Sequence, residues 1–126
     1  SCACNSTGRL VEKINAYINT HYDTKLSLKS IADKHFISTS YLSLIFNRYN
    51  GISLTDYINM TRIKASKNLL INTKYKISVI ARKVGYDNTS YYTQVFKKLE
   101  KFTPKEYRKN MNNNKNKSQE YKYFVD

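Results

Sequence analysis

Apolar residues recur along most of this chain at helical spacing. Leu10, Ile14, Tyr17 and Ile18 form one stripe, and His21-Tyr22-Asp23 marks its stop. Ser27 reads as an N-cap for a short helix over 28–35, with Leu28, Ile31 and Ala32 facing inward. Ser38 caps the next helix, where Leu42, Ile45, Phe46 and Tyr49 make an i, i+3, i+4, i+7 face. Gly51 stands where a helix-ending glycine belongs. A longer helix is predicted over 54–71, with Tyr57, Ile58, Ile63, Leu69 and Leu70 available for packing. A short helix over 78–84 ends at Gly85, and Asn88 caps another with Tyr92, Val95, Phe96 and Leu99 inward. Thr103-Pro104-Lys105-Glu106 reads as N-cap, proline at N1 and acid at N3, starting a last helix to about Lys109. No segment alternates like a strand. The expectation is an all-α fold of about seven helices.

The two ends lack this periodicity. Residues 1–8 are small and polar and read as a disordered linker or remnant. Residues 110–126 are rich in Asn and Lys and read as a disordered tail. The folded unit is then expected over 9–109.

The chain also repeats itself. At an offset of fifty, Thr39-Ser40-Tyr41 falls on Thr89-Ser90-Tyr91, Phe46 on Phe96 and Tyr57 on Tyr107. Ser43, Ile45, Arg48, Ser53 and Asp56 meet Thr93, Val95, Lys98, Thr103 and Glu106, all similar residues. Upstream the offset is forty-nine: Ile31-Ala32 meets Ile80-Ala81, and Lys34 meets Lys83. Agreement over about thirty positions marks a duplication. Each copy reads as a short helix, a tight turn and a longer helix, with a small residue (Ala32 or Ala81) where the two helices cross. That is a helix-turn-helix pattern. The first copy spans about 27–51 and the second about 78–100, with 54–71 as a linker helix.

Charge sets the class of partner. Of 126 residues, 22 are Lys or Arg against 9 Asp or Glu, a formal charge of +13. On one small domain this favours nucleic acid first and an anionic membrane second. A membrane-surface helix would leave its bulky apolar face exposed, whereas here those faces are needed for the core. The 3 Gly and 1 Pro exclude a glycine-rich phosphate loop. No catalytic residues stand out: no cysteine or histidine has a base at useful spacing, and no carboxylate pair is evident. Cys2 and Cys4 supply at most two ligands, and His21 and His35 lie at unrelated spacing, so no metal or cofactor is expected. The 12 Tyr are expected mostly in the core, Tyr41, Tyr49, Tyr57, Tyr92 and Tyr107 among them.

Helix phase separates the faces of the two longer helices. Opposite the packed stripe of the first lie Ser40, Ser43, Leu44 and Asn47. In the second the corresponding residues are Ser90, Thr93, Gln94 and Lys97. These eight are the candidates for base-edge contacts. Gln94 has the donor and acceptor to pair with adenine N6 and N7. Lys97 reaches guanine or, preferentially, a phosphate. Ser27, Ser38, Ser78 and Asn88 at helix starts, with Arg48 and Lys98, are the candidates for phosphate contacts.

These residues carry a resemblance. Ser30-Ile31-Ala32, Ser40-Tyr41-Leu42, Phe46 and Gly51, then Ile80-Ala81, Val84-Gly85-Tyr86, Ser90-Tyr91-Tyr92, Phe96-Lys97, Thr103-Pro104 and Tyr107-Arg108 resemble the DNA-binding region of the AraC/XylS family of bacterial transcription regulators. The resemblance covers 9–109. It implies two helix-turn-helix subdomains joined by one long helix, with a recognition helix of each in a major groove. It places the family's main base contacts on the positions already named. Leu44 departs from the long polar or arginine side chain common there; it either touches a thymine methyl or covers helix surface. Eighteen residues (54–71) at about 1.5 Å each give roughly 27 Å of helix, against about 34 Å between successive major grooves on one face. With its joins, such a linker suits one chain reading two unlike half-motifs.

The resemblance also implies a cytoplasmic, nucleoid-associated protein that binds double-stranded promoter DNA, contacts RNA polymerase and more often activates than represses. Full-length relatives carry a separate N-terminal effector or dimerisation domain. The start at Ser1 favours a fragment over a short stand-alone protein. A non-specific or architectural nucleic-acid binder is the rival reading: it accounts for the charge but not for two duplicated readers.

Overall fold

A computed structural model describes the backbone of residues 5–125 and the side chains of 6–114. The described residues form seven helices and no strand: α1 (Asn5–His21), α2 (Leu28–Lys34), α3 (Thr39–Asn50), α4 (Leu54–Asn72), α5 (Ile77–Lys83), α6 (Thr89–Glu100) and α7 (Pro104–Val125). They fall into two compact units that divide within α4, at Arg62 and Ile63.

The first unit closes over the apolar stripes. Ile14 and Ile18 of α1, Ile31 and Ala32 of α2, Leu42 and Phe46 of α3, and Leu54 and Ile58 of α4 form one buried cluster. Phe46 meets the Tyr57 ring edge-on at 5.4 Å. An amide pair, Asn15 to Asn50 at 3.0 Å in both directions, ties α1 to the end of α3. The Arg62 guanidinium donates to the carbonyls of Tyr22 at 2.7 Å and Thr24 at 2.9 Å, just past the end of α1. Those carbonyls have no helical partner, and a cation there is favoured by the helix dipole.

The second unit repeats the plan. Ile80, Ala81 and Val84 pack with Tyr92, Val95 and Phe96, and Phe96 meets Tyr107 edge-on, again at 5.4 Å. Arg108 donates to the carbonyls of Leu70 (3.0 Å), Thr73 (3.2 Å) and Tyr75 (2.7 Å) around the end of α4. Lys67 pairs with Glu100 at 3.2 Å.

Several expectations change. Helix α1 begins at Asn5 rather than after a disordered 1–8. Gly8 lies inside it against Tyr49, whose ring would stand 3.4 Å from any added Cβ; docking on α3 thus carries the helix through a weakly helical stretch. Residues 1–4, with Cys2 and Cys4, lie outside the described residues. At the other end α7 continues to Val125, past the Lys109 boundary and through the expected disordered tail. The Thr103–Glu106 capping box starts it, with mutual bonds of 3.0 and 3.2 Å, and no glycine or proline after Pro104 stops it. The bond from the Thr103 amide, followed by the Thr103 hydroxyl, holds the Glu106 carboxyl below its ordinary value. Tyr41 (42% exposed) and Tyr49 (48% exposed) are not core residues, and Leu99 is also exposed. The last turn of α3 and of α6 runs past the buried layer, so the core takes only the first three positions of each stripe.

The copies differ in where they use glycine. After α3, Gly51 is left-handed at φ 74°. At the same point after α6 stands Lys101, also at φ 74°. In the helix-helix turn Gly85 has φ 106°, and its counterpart Phe36 has φ 58° while 95% exposed. A side chain in this region costs about 1 kcal/mol. Lys101→Gly and Phe36→Gly should therefore each stabilise the protein by about 1 kcal/mol in denaturant unfolding. Gly51→Ala should cost a similar amount, with no clash to add to it, since nothing lies within 4 Å of a Cβ there.

The Tyr92 hydroxyl is buried and makes no well-formed hydrogen bond. Desolvation pushes its pKa from 10.0 up to about 12, against smaller lowering by the Ser66 hydroxyl and the Arg108 charge. The fold thus favours neutral Tyr92. That stability is complete below pH 10 and is lost as pH rises through 12. In alkaline unfolding titrations Tyr92→Phe should remove part of this loss, and at pH 7 it should be neutral or stabilising by up to about 1 kcal/mol.

Candidate nucleic-acid interface

Helices α3 and α6 present the same surface. From 41 to 51 and from 91 to 101 the order of buried, half-buried and exposed positions is identical, residue by residue. The packed positions are Leu42, Ile45 and Phe46 in one and Tyr92, Val95 and Phe96 in the other. Equal packing leaves equal stripes outside. Ser40, Leu44 and Asn47 are exposed with Ser43 half-buried; Ser90, Gln94 and Lys97 are exposed with Thr93 half-buried. The structure therefore brings each predicted base-contacting quartet onto one face of its own helix.

Hydrogen bonding decides what each side chain offers. The Thr93 hydroxyl donates to the Thr89 carbonyl at 3.0 Å, so its hydrogen is committed inside the helix. The Asn47 amide nitrogen donates back to the Ser43 carbonyl at 3.2 Å, which leaves its oxygen and its second amide hydrogen for a ligand. Gln94 makes no such internal bond and keeps both amide groups for a ligand. Lys97 is exposed and carries the one positive charge of the two quartets. Leu44 is 61% exposed and sits among the hydroxyls of Ser40 and Ser43.

The predicted phosphate contacts divide. Ser38 accepts from the Tyr41 amide at 3.1 Å, and Asn88 from the Tyr91 amide at 3.0 Å. Each is an N-cap whose remaining donor, a hydroxyl hydrogen or an amide nitrogen, stays available at a helix N-terminus. Ser27 forms a capping box with Ser30 at the start of α2. Ser78 does not belong with them: α5 starts at Ile77, its N-cap is Lys76, and no side chain caps it. The repeat carries the reason, since Lys76 is the counterpart of Ser27 at the offset of forty-nine. Arg48 and Lys98 are exposed at equivalent positions near the ends of their helices.

Two residues beside these stripes escaped the sequence reading. Tyr41 and Tyr91 are exposed at 42% and 46%, next to Ser40 and Ser90. Their identity across the repeat was visible, and their phase, one position before the first buried residue, places them at the border of the packed face. Among the described residues, no group of His, Cys, Asp and Glu is placed to hold a metal.

Two units that each set a short helix and an exposed longer helix at a tight turn define a double helix-turn-helix domain. A helix-turn-helix domain family model matches residues 31–110, and the chain belongs to this family, in its AraC-type branch. The regulatory protein PocR of Salmonella typhimurium is 33% identical over 104 residues, which are 82% of this chain and 34% of PocR. The C-terminal domain of AraT, a response regulator from Geobacillus stearothermophilus, superposes with a TM-score of 0.78 at 32% identity, covering 80% of this chain and 84% of that domain. The DNA-binding domain of the transcriptional factor AdpA, solved with a target DNA, has a TM-score of 0.74 at 16% identity, covering 78% and 88%; this shows a shared fold. The chain spans about a third of the length of the curated relatives PocR and YijO.

The capping assignments have a direct test. Ser38→Ala and Asn88→Ala should each lower unfolding stability by about 1 kcal/mol. Ser78→Ala, which removes no cap, should leave it within about 0.5 kcal/mol.

Proposed function

We propose that this chain is the DNA-binding part of a bacterial transcription regulator that reads a specific double-stranded site with two recognition helices, α3 and α6, in successive major grooves. The observation that carries this is the matched exposure of 41–51 and 91–101. Non-specific or architectural binding needs only charge, and gives no reason to hold two polar quartets in the same register. The AdpA domain of the same fold was solved on its target DNA, which supports the same partner here.

Base contacts belong to Ser40, Ser43, Leu44, Asn47, Ser90, Thr93, Gln94 and Lys97. Phosphate contacts belong to Ser27, Ser38, Asn88, Arg48 and Lys98. The finer reading is an activator that sits beside a promoter and touches RNA polymerase, acting in the bacterial cytoplasm on the nucleoid. In a longer protein it would follow an N-terminal effector or dimerisation domain. No described helix is long and apolar enough to cross a membrane. The chain's work in this reading is binding rather than catalysis.

Selection from a random duplex pool at about 150 mM salt, followed by sequencing, tests the proposal. Two short, unlike motifs about one helical turn apart are expected. A flat profile with steep salt dependence would instead establish the non-specific reading. With about six phosphates engaged, log K should fall against log salt with a slope of about −5. Lys98→Ala should weaken all sites alike and reduce that slope by about 0.9. Gln94→Ala should relax preference at one base pair, at a cost of about 1–3 kcal/mol on the preferred sequence.

A further inference from the structure

The two readers share a feature that charge does not explain: each outer stripe carries an apolar group near its middle, exposed on α3 and half-buried on α6. On α3 that group is Leu44, 61% exposed between two serines. A leucine this open gains nothing from the core. On α6 it is Thr93, whose hydroxyl is held by the Thr89 carbonyl at 3.0 Å. A threonine so bonded has no hydroxyl hydrogen left to give a base without breaking a bond inside the helix, which leaves its oxygen as an acceptor only and its methyl as the apolar group. Thr93 and Ser43 are repeat counterparts, as are Gln94 and Leu44. Each reader thus has one apolar group and one polar group at this adjacent pair of positions, in opposite order.

Neither stripe carries an arginine, the side chain best suited to the paired acceptors of guanine. Lys97 is the one cation on them. In the major groove the apolar feature among the base edges is the C5-methyl group of thymine. Resting on the reading that α3 and α6 enter major grooves, we infer that both recognise thymine methyl groups: α3 through Leu44 and α6 through the Thr93 methyl. Gln94, which keeps both amide groups for a ligand, then pairs with an adenine beside the second thymine contact. The site is A·T-rich in both half-motifs for a stereochemical reason, and its specificity depends on methyl groups as well as hydrogen bonds.

Deoxyuridine isolates this effect, since it removes the methyl and keeps every hydrogen-bonding edge and every phosphate. In the strongest duplex selected by the full chain, each thymine is replaced singly by deoxyuridine and affinity is measured. At least one position in each half-motif should lose about fourfold, the equivalent of one methyl returned to water. The salt slope should not change, because no charge has moved. Leu44→Ala should abolish the loss in the first half-motif alone. Thr93→Ser, which keeps the helical hydroxyl bond and drops the methyl, should abolish it in the second alone. A selected site whose thymines all tolerate deoxyuridine overturns this inference and leaves sequence-specific binding standing. Losses that persist unchanged in Leu44→Ala and Thr93→Ser overturn it too. A pool without any enriched motif overturns both.

Discussion

Each unit rests on one contact made twice. Phe46 meets Tyr57 edge-on in the first unit and Phe96 meets Tyr107 in the second, both with ring centres 5.4 Å apart. In each pair one ring belongs to a reader and the other to the helix that follows. The contact fixes the rotation of the reader about its own axis. Once Phe46 or Phe96 is buried, the 3.6-residue period decides which residues are left outside. A reader rotated by one position would bury Ser43 or Thr93 and expose Leu42 or Tyr92. Aromatic packing in the core is therefore what sets the chemistry of the outer face.

Much of this was legible in the chain. Apolar periodicity located most of the seven helices of the described residues, and the Thr103–Glu106 cap located the last. The caps Ser27, Ser38, Asn88 and Thr103 were readable since each bonds to backbone within three residues, a local event. What local pattern could not supply was a partner far along the chain. Gly8 becomes helical because Tyr49 covers it. The exposure of Tyr41 and Tyr49 depends on where the buried layer stops. The roles of Arg62 and Arg108, each drawn to carbonyls more than thirty residues earlier, carry no local signature. Within the candidate interface, position was legible and state was not. Thr93 and Asn47 were placed on the correct faces, but the internal bonds that decide which of their groups stay free for a ligand follow from side-chain geometry.

The repeat was most useful where it broke. Lys76 in place of Ser27 explains why α5 begins without a side-chain cap, and so why Ser78 was misplaced as a helix end. The outer stripes differ in kind from the packed ones. Packed positions stay apolar or aromatic, with Phe46 and Phe96 identical, Val95 for Ile45 and Tyr92 for Leu42. Outer positions exchange leucine for glutamine and asparagine for lysine. A common scaffold with unlike surfaces is what reading two unlike sequences requires.

The left-handed positions distinguish the two copies. Both units bend their backbone the same way at the entry to the reader and at its exit. The first spends its glycine at the exit, Gly51, and tolerates Phe36 at the entry. The second has Gly85 at the entry and tolerates Lys101 at the exit. Each unit thus has glycine at one of the two equivalent bends, and not the same one. A fold with a stability margin of only a few kcal/mol absorbs one such loss per unit more readily than two. The strain is thereby shared evenly: each unit bears one unfavourable bend, at opposite ends of its reader, and neither bears both.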